Sequence, residues 1–323
     1  MNHIIAGVDY PHSNIEIILG IGEFPSIQRN RAAQIASGDI VYFLNSDVKV
    51  LPDIFKKAVA LLDADKSLAG VGGPDLTPPD NSFLQHLFGY AMGSFFAHWK
   101  MRARYSVVGK ERLSDERELL LSNMAIRKDV FLRLNGFNQN LYPNEENEFL
   151  NRLADMGYKV MYSPDLRVYR DRRKTISAFM RQFYRYGKGR MNQIRLEGIG
   201  RNWLFLAPPL VFIYLLSLPF AGSFFWFVPL SIYFFLGVTD AIWLSWRNRK
   251  NLVLQLPFIY LVMHLSYATG FLARLIAHCC NLTPELSKEC QVRILKKMGE
   301  GIELEEYPAS EDAGSDRYRR LTQ

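Results

Sequence analysis

Two hydrophobic rhythms divide this chain. Before residue 165, short apolar runs alternate with stretches of helix-forming composition; beyond residue 202, the apolar runs reach membrane length. In the first part, residues 15–19, 40–44, 68–71, 118–126 and 158–162 predict strands, with a further short one at Val168 and Tyr169. Residues 25–36, 52–63, 128–134 and 144–156 predict helices, the last of them amphipathic. Strands and helices alternating in this way predict an α/β fold on a doubly wound, mostly parallel sheet. Residues 78–118 are aromatic and partly helical, and are expected against a membrane or an acceptor.

In the second part, no charged side chain occurs from residue 202 to 239. One helical span needs about 20 residues, so this run is long enough for two. Leu218-Pro219-Phe220-Ala221-Gly222-Ser223 supplies the break between them. A third uncharged run, 251–273, carries Gln255, His264 and Gly270, and fits either a span or an interfacial helix. The expected organisation is an α/β unit over 1–178, a basic amphipathic interfacial segment over 179–202 and a membrane region over 203–276. That region holds two to three spans, about 203–221, 224–245 and 252–273, and a tail follows over 277–323. From about residue 308 the tail is rich in Asp and Arg and reads as disordered.

Charge sharpens this division. The mean hydropathy of −0.06 averages two unlike halves. The net charge of +7 is concentrated, because residues 167–201 hold eleven Arg and Lys against Asp171 and Glu197. Beside membrane spans such a belt marks the cytoplasmic side and attracts anionic head groups. Arg247, Arg249 and Lys250 agree with that orientation. The same position sets aside nucleic acid as a partner. Residues 1–23 contain Asp9, Pro11 and Glu16 but no basic region of a signal peptide, so the α/β unit is expected in the cytoplasm. Cys279, Cys280 and Cys290 match no zinc spacing and no disulfide framework; they read as reduced thiols, with lipidation of Cys279 or Cys280 beside the membrane as the alternative. Asp240, His264 and Arg274 fall in or at the edge of apolar runs, where polar groups are costly and carry a functional expectation. Asp240 is expected near the cytoplasmic end of its span and Arg274 near the opposite one. Three spans would put the tail outside, whereas Arg293, Lys296 and Lys297 favour the inside; an interfacial third run removes the conflict.

The chemistry begins at Gly38-Asp39-Ile40-Val41-Tyr42-Phe43-Leu44-Asn45-Ser46-Asp47, an apolar strand running into a short acidic turn. A strand that delivers a carboxylate to the carboxyl edge of an α/β sheet can place a metal under a substrate phosphate. Three further segments follow in order. Ser26-Ile27-Gln28-Arg29-Asn30-Arg31 precedes that strand; Ser122-Asn123-Met124-Ala125-Ile126-Arg127 leads to Asn135-Gly136-Phe137; and Asn144-Glu145-Glu146-Asn147-Glu148-Phe149-Leu150 leads to Gly157-Tyr158. Together the four resemble the family 2 glycosyltransferases with the GT-A nucleotide-sugar fold, over about residues 15–190.

The resemblance implies a role for each site residue. Asp47 would hold a divalent cation, Mg2+ or Mn2+, under the diphosphate of a nucleotide sugar. Asn45 replaces the first acid of the DxD-type motif and would contact ribose or a water on the metal. Arg29 and Asn30 belong to the donor-side helix. Glu146 aligns with the catalytic base and Glu145 with the acid before it; at a helix N-terminus such acids also complement the dipole. Gln182 and Arg185, in a segment similar to QxxRW with Tyr186 for Trp, would contact donor or acceptor, or alternatively serve as interfacial anchors. Arg170 stands where the family often has a His metal ligand, and Arg172 and Arg173 have the planar shape suited to phosphate.

One departure is large. The opening strand and helix of the family, about 30 residues, have no counterpart in residues 1–14, so the GT-A-like fold is expected to be N-terminally truncated. The implied activity is membrane-bound, metal-dependent hexosyl transfer of a single sugar to a lipid-linked or glycan acceptor, in cell-envelope or polysaccharide biosynthesis. The alternative is a catalytically degenerate membrane scaffold of the same fold.

Overall fold

The chain enters through β1 (Ile17–Gly22) and α1 (Pro25–Ile35), whose Pro25 sits in the first turn, where its missing N–H is no loss. β2 (Ile40–Leu44) and β3 (Val48–Val50) flank the acidic turn, and α2 (Ile54–Ala64) follows. Next come β4 (Leu68–Gly72), β5 (Asp75–Leu76), α3 (Phe83–Met92) behind a Ser82–Gln85 capping box, and the single turn α4 (Phe95–His98). β6 (Arg112–Ser114), β7 (Asn123–Arg127), α5 (Lys128–Arg133), α6 (Glu145–Asp155), β8 (Lys159–Tyr162) and β9 (Val168–Arg170) complete the α/β part. Beyond it lie α7 (Ile176–Glu197), α8 (Ala207–Ser217), α9 (Val228–Asn248), α10 (Leu256–Cys279) and β10 (Cys290–Lys296). This computed structural model describes residues 7–22, 24–252, 254–282 and 290–299. The expected disordered tail from residue 308 lies outside the described residues.

The main sheet has the order β2-β7-β4-β8-β6. β2, β4 and β8 share a direction, but β7 runs against its neighbours β2 and β4, and β6 against β8. The α/β expectation stands, while the mostly parallel sheet is corrected to a mixed one. The cause is the route of the chain. β7 starts at Asn123, opposite Leu44 at the carboxyl end of β2, so it enters from the carboxyl edge and runs back. A second sheet, β3-β9-β5, extends from that edge, and a third pairs β1 with β10.

Strand alternation gives β2 two apolar faces. Val41 and Phe43 face a cluster in which Phe43, Phe131, Phe137 and Phe149 pack with ring centroids 4.9–5.3 Å apart. Ile40, Tyr42 and Leu44 face Ile54, Ala58 and Leu62 of α2. α6 ends in a Schellman turn: Gly157, at φ 79°, donates to Ala154 and Tyr158 donates to Leu153.

Three helical stretches, Gly200–Phe220, Phe224–Asn248 and Leu256–Cys279, are long and apolar enough to cross a membrane. They differ in what they touch. The first two expose large apolar side chains such as Leu210, Phe220, Phe224, Phe225 and Phe235. α10 instead lies along α7, running in the same direction. Gly187 meets the backbone of Tyr267 and Phe271, and Gly270 meets the carbonyl of Tyr184, so a Cβ at either glycine would overlap main chain. Further along, Arg274 Nε donates to Asn192 Oδ1 (2.6 Å), and Arg195 lies 3.0 Å from His278. Arg274 thus sits beside the basic helix. The parallel course of the two helices is the reason.

The polar groups of the apolar helices receive α4. Asp240 accepts from Ser94 Oγ (2.7 Å) and Tyr260 OH (2.5 Å); His264 bonds Tyr233 OH (3.0 Å) and the Ala97 carbonyl (3.2 Å). Phe96 packs among Tyr233, Tyr260 and His264. A second core, joining Phe88, Met92, Phe179 and Phe183 to Leu244, Ile259 and Met263, makes the helices and the α/β part continuous.

Candidate active site

A cavity of about 660 Å³ opens between the carboxyl edge of the main sheet and the helices α7–α10. Its wall combines the polar Arg29, Asn45, Glu145, Glu146, Arg170 and Arg185 with Leu204, Phe205, Pro208, Val211 and Tyr267. A pocket with a few convergent polar groups and an apolar wall is the usual form of a small-molecule site.

The polar lining is wired by Arg29. Its Nη1 donates to Glu145 Oε1 (2.8 Å) and its Nη2 to Asn45 Oδ1 (3.1 Å), joining α1, the end of β2 and the start of α6. α6 begins after Asn144, at φ 86°, a conformation that Asn tolerates better than most residues. That turn puts Glu145 and Glu146 at the helix N-terminus, where the dipole favours negative charge. Glu145 is only 3 % exposed. Burial, with the Glu146 carboxylate beside it, pushes Glu145 up to about 7, against the opposing pull of Arg29. Glu146 is half-buried, faces the cavity, and has no hydrogen bond or ion pair among the described residues. One carboxylate is therefore held and the next is available to take a proton.

Six of the residues expected in the site, Arg29, Asn45, Glu145, Glu146, Gln182 and Arg185, line this one cavity. Asn30 does not. Its side chain donates to the Phe137 carbonyl (2.8 Å) and accepts from the Phe137 N–H (2.8 Å), clamping the Asn135-Gly136-Phe137 turn. Successive residues point about 100° apart around a helix, so with Arg29 in the cavity Asn30 faces the core. Arg172 is likewise committed: it is buried, 3.3 Å from Asp75, and bonds Thr77 (3.0 Å). Arg173 and Arg185 stay on the cavity wall, and Arg185 has no ion pair among the described residues.

Asp47 stands apart from these residues. It is absent from the cavity wall and its side chain is 53 % exposed. Its Oδ2 accepts from Arg170 Nε (2.9 Å). The strand register imposes this, because β3 pairs Val48 with Arg170 and sets Arg170 next to Asp47. On its inner side Arg170 reaches toward Asp75 (3.9 Å), a fully buried carboxylate that also accepts from Ser122 Oγ (3.2 Å). Burial works against the charge of Arg170, but Asp47 and Asp75 more than restore it, so its pKa is raised.

A divalent cation, which the resemblance implies at Asp47, does not fit this donor set. Among the described residues no three His, Cys, Asp or Glu side chains converge. Both oxygen donors of the turn are engaged, Asn45 by Arg29 and Asp47 by Arg170.

The sequence reading missed part of the wall. His98 lines the cavity, stacks on Tyr105 (5.5 Å) and donates from Nδ1 to the Met92 carbonyl (2.8 Å). Burial pushes its pKa down to about 4, leaving a neutral imidazole. Arg190 lies over the Phe205 ring (3.5 Å to its centroid) and pairs with Glu116 (3.4 Å). The signals for His98 and Arg190 were the aromatic character of residues 78–118 and the basic belt of residues 167–201.

Residues 40–276 match the family model described as glycosyl transferase family group 2. No curated protein matches the sequence. Among solved structures, the chain is similar to the mannosyltransferase PcManGT from Pyrobaculum calidifontis, solved with GDP-Man and Mn2+, at 17% identity and a TM-score of 0.48. The match covers 79% of this chain and 66% of that one, so the chain spans just under two thirds of its relative's length.

Proposed function

The chain belongs to glycosyl transferase family group 2, and from that premise we propose that it moves a single sugar from a nucleoside-diphosphate donor to a lipid-linked acceptor. One observation carries this reading: a single cavity joins the Arg29–Glu145–Glu146 group to an apolar wall supplied by helices of membrane length. A water-soluble acceptor would have no use for that wall. A lipid-linked acceptor would lay its tail against Leu204, Phe205, Pro208 and Val211 and bring its hydroxyl toward Glu146.

The bond between the anomeric carbon and the diphosphate oxygen breaks, and its electron pair leaves with the nucleoside diphosphate. The acceptor oxygen forms the new bond to that carbon. Its proton passes to Glu146, the carboxylate without a partner. Arg29, Arg170, Arg173 and Arg185 face the charge that develops on the leaving group, for which guanidinium forks are well shaped. Glu145 positions Arg29. The product would serve cell-envelope or polysaccharide assembly.

The basic residues of α7, with Arg247, Arg249 and Lys250, support a cytoplasmic position for the α/β unit. β10 supports a refinement. It pairs with β1 from Ile17↔Lys296 to Gly22↔Cys290, and Lys296 Nζ donates to the carbonyls of His12 (2.5 Å) and Ile15 (2.8 Å). Both flanks of the apolar region then lie on one side of the bilayer, which requires an even number of crossings. α8 and α9 form the crossing hairpin, and α10 stays against α7 at the interface. Maleimide labelling of Cys290 in sealed vesicles checks this: it should react from the side of the α/β unit, and reaction only from the far side overturns it.

The enzymatic reading is tested with membranes carrying the protein, labelled nucleotide sugars and lipid extracts. Label should move into the organic phase and free nucleoside diphosphate should accumulate. Transfer only to water-soluble glycans would refute the lipid-linked acceptor. Failure to bind any nucleoside diphosphate would favour the scaffold alternative.

A further inference from the structure

We propose that the Arg170 guanidinium stands in for a divalent cation, so that this protein binds and activates its donor diphosphate without a metal. The inference rests on the reading of the cavity as a nucleotide-sugar site and concerns how that site meets the donor's charge.

Three observations converge on it. Arg170 lines the cavity, whereas Asp47, the carboxylate of the acidic turn, does not. The β3–β9 register, not a flexible side chain, brings the two together at 2.9 Å. Buried Asp75, braced by Arg172 at 3.3 Å, approaches the same guanidinium from inside at 3.9 Å. Arg170 is thus gripped by one carboxylate at the rim and one in the core. The rest of its fork stays on the cavity wall beside Arg29, Arg173 and Arg185. One carboxylate at the rim and one in the core hold a permanent cation in place. A planar guanidinium donates two parallel hydrogen bonds to phosphate oxygens and cannot be deprotonated at working pH. The leaving diphosphate would meet a fixed positive group already oriented toward it.

Titration calorimetry on the detergent-solubilised full chain tests this with UDP, GDP, ADP, CDP and dTDP, each in excess EDTA and again in Mn2+. The wild type should bind its preferred nucleoside diphosphate equally in both, within about threefold. Arg170→Ala should weaken binding in EDTA by about tenfold to a hundredfold, the loss of one or two charge-assisted bonds. Arg170→Lys should fall between, because it keeps the charge and loses the fork. Wild-type binding that requires Mn2+ overturns the proposal, whether or not the Arg170 variants fold, and leaves the donor-site reading intact. Failure of every nucleotide to bind in either condition overturns both. Electron spin resonance gives an independent readout: with protein and nucleotide present, the Mn2+ signal should match that of nucleotide and Mn2+ alone. A further loss of free signal that requires Asp47 rejects the stand-in role.

Discussion

The polar and apolar linings of the cavity are built in opposite ways. The polar lining gathers Arg29 from α1, Asn45 from the end of β2, Glu145 and Glu146 from α6, Arg170 from β9, and Gln182 and Arg185 from α7. Most of these side chains are held by a named partner. The apolar lining of Leu204, Phe205, Pro208 and Val211 comes from one continuous stretch of chain and offers a ligand no hydrogen-bonding side chain. The contrast teaches where selectivity resides. Pre-set charges and hydrogen bonds discriminate between ligands, because a mismatched group leaves a buried partner unsatisfied. An apolar wall discriminates weakly and mainly decides from which side a ligand arrives.

Four experiments break or sharpen that contrast. The largest effect is expected of Glu146→Gln, which removes the proton acceptor and should lower the transfer rate by about 10²–10⁴-fold with donor binding retained. An equal loss of donor binding would move Glu146 to the donor side. Next, Val211→Asp puts a charge on the apolar wall and should raise the KM for a lipid acceptor by roughly tenfold or more. Its donor KM should not move; a matching rise there would mean the two linings form one site. Asn45→Ala deletes one hydrogen bond to Arg29 and should weaken donor affinity by about fivefold, leaving the acceptor KM unchanged.

The last effect falls on stability rather than on activity, as a pH dependence. Glu145 is raised to about 7 in the folded protein, above its unfolded value near 4.5. Between those two values the folded state binds more protons than the unfolded one, so stability falls as pH rises through the window. The slope is at most about 1.4 kcal/mol per pH unit. Thermal midpoints followed across that window should decline, and Glu145→Gln should flatten the decline. An unchanged slope in the variant would assign the dependence to another group.

Much of the fold was legible because its signals are local. Residues 40–44 form the expected strand without adjustment, being an apolar run between turn formers, and the Glu145–Asp155 helix follows its amphipathic period. The elements that escaped are made by distant partners. β6 is the short polar Arg112–Ser114, and β10 is a strand because β1 lies far back in the chain to receive it. The site was half legible for the same reason. Residue type marked Asn45, Glu145 and Glu146 correctly for the cavity wall. Asp47 was assigned to a metal because local spacing cannot show that the facing strand puts Arg170 beside it. The replacement of a His by Arg at that position was visible, but its meaning depended on a register between residues 48 and 170. Asn30 failed on helix geometry, since its neighbour had taken the cavity side. The close crossing of α7 and α10 had a signal, Gly187 and Gly270, that pointed to nothing until both helices were side by side.

The bonds from Ser94 and Tyr260 to Asp240 bear on how the protein is made. An unpaired carboxylate at the centre of a membrane helix costs roughly 2.5–3.5 kcal/mol. Neither of its hydroxyl partners belongs to the helix that carries it: one precedes the hairpin in the chain and the other follows it. On the reading of α8 and α9 as a crossing hairpin, that hairpin is expected to settle last, after the ribosome has released Tyr260 and the Ser94 turn has closed beneath it. Protease protection of a pulse-labelled chain should appear only once the α/β unit resists digestion. Protection that arrives earlier would separate insertion from folding.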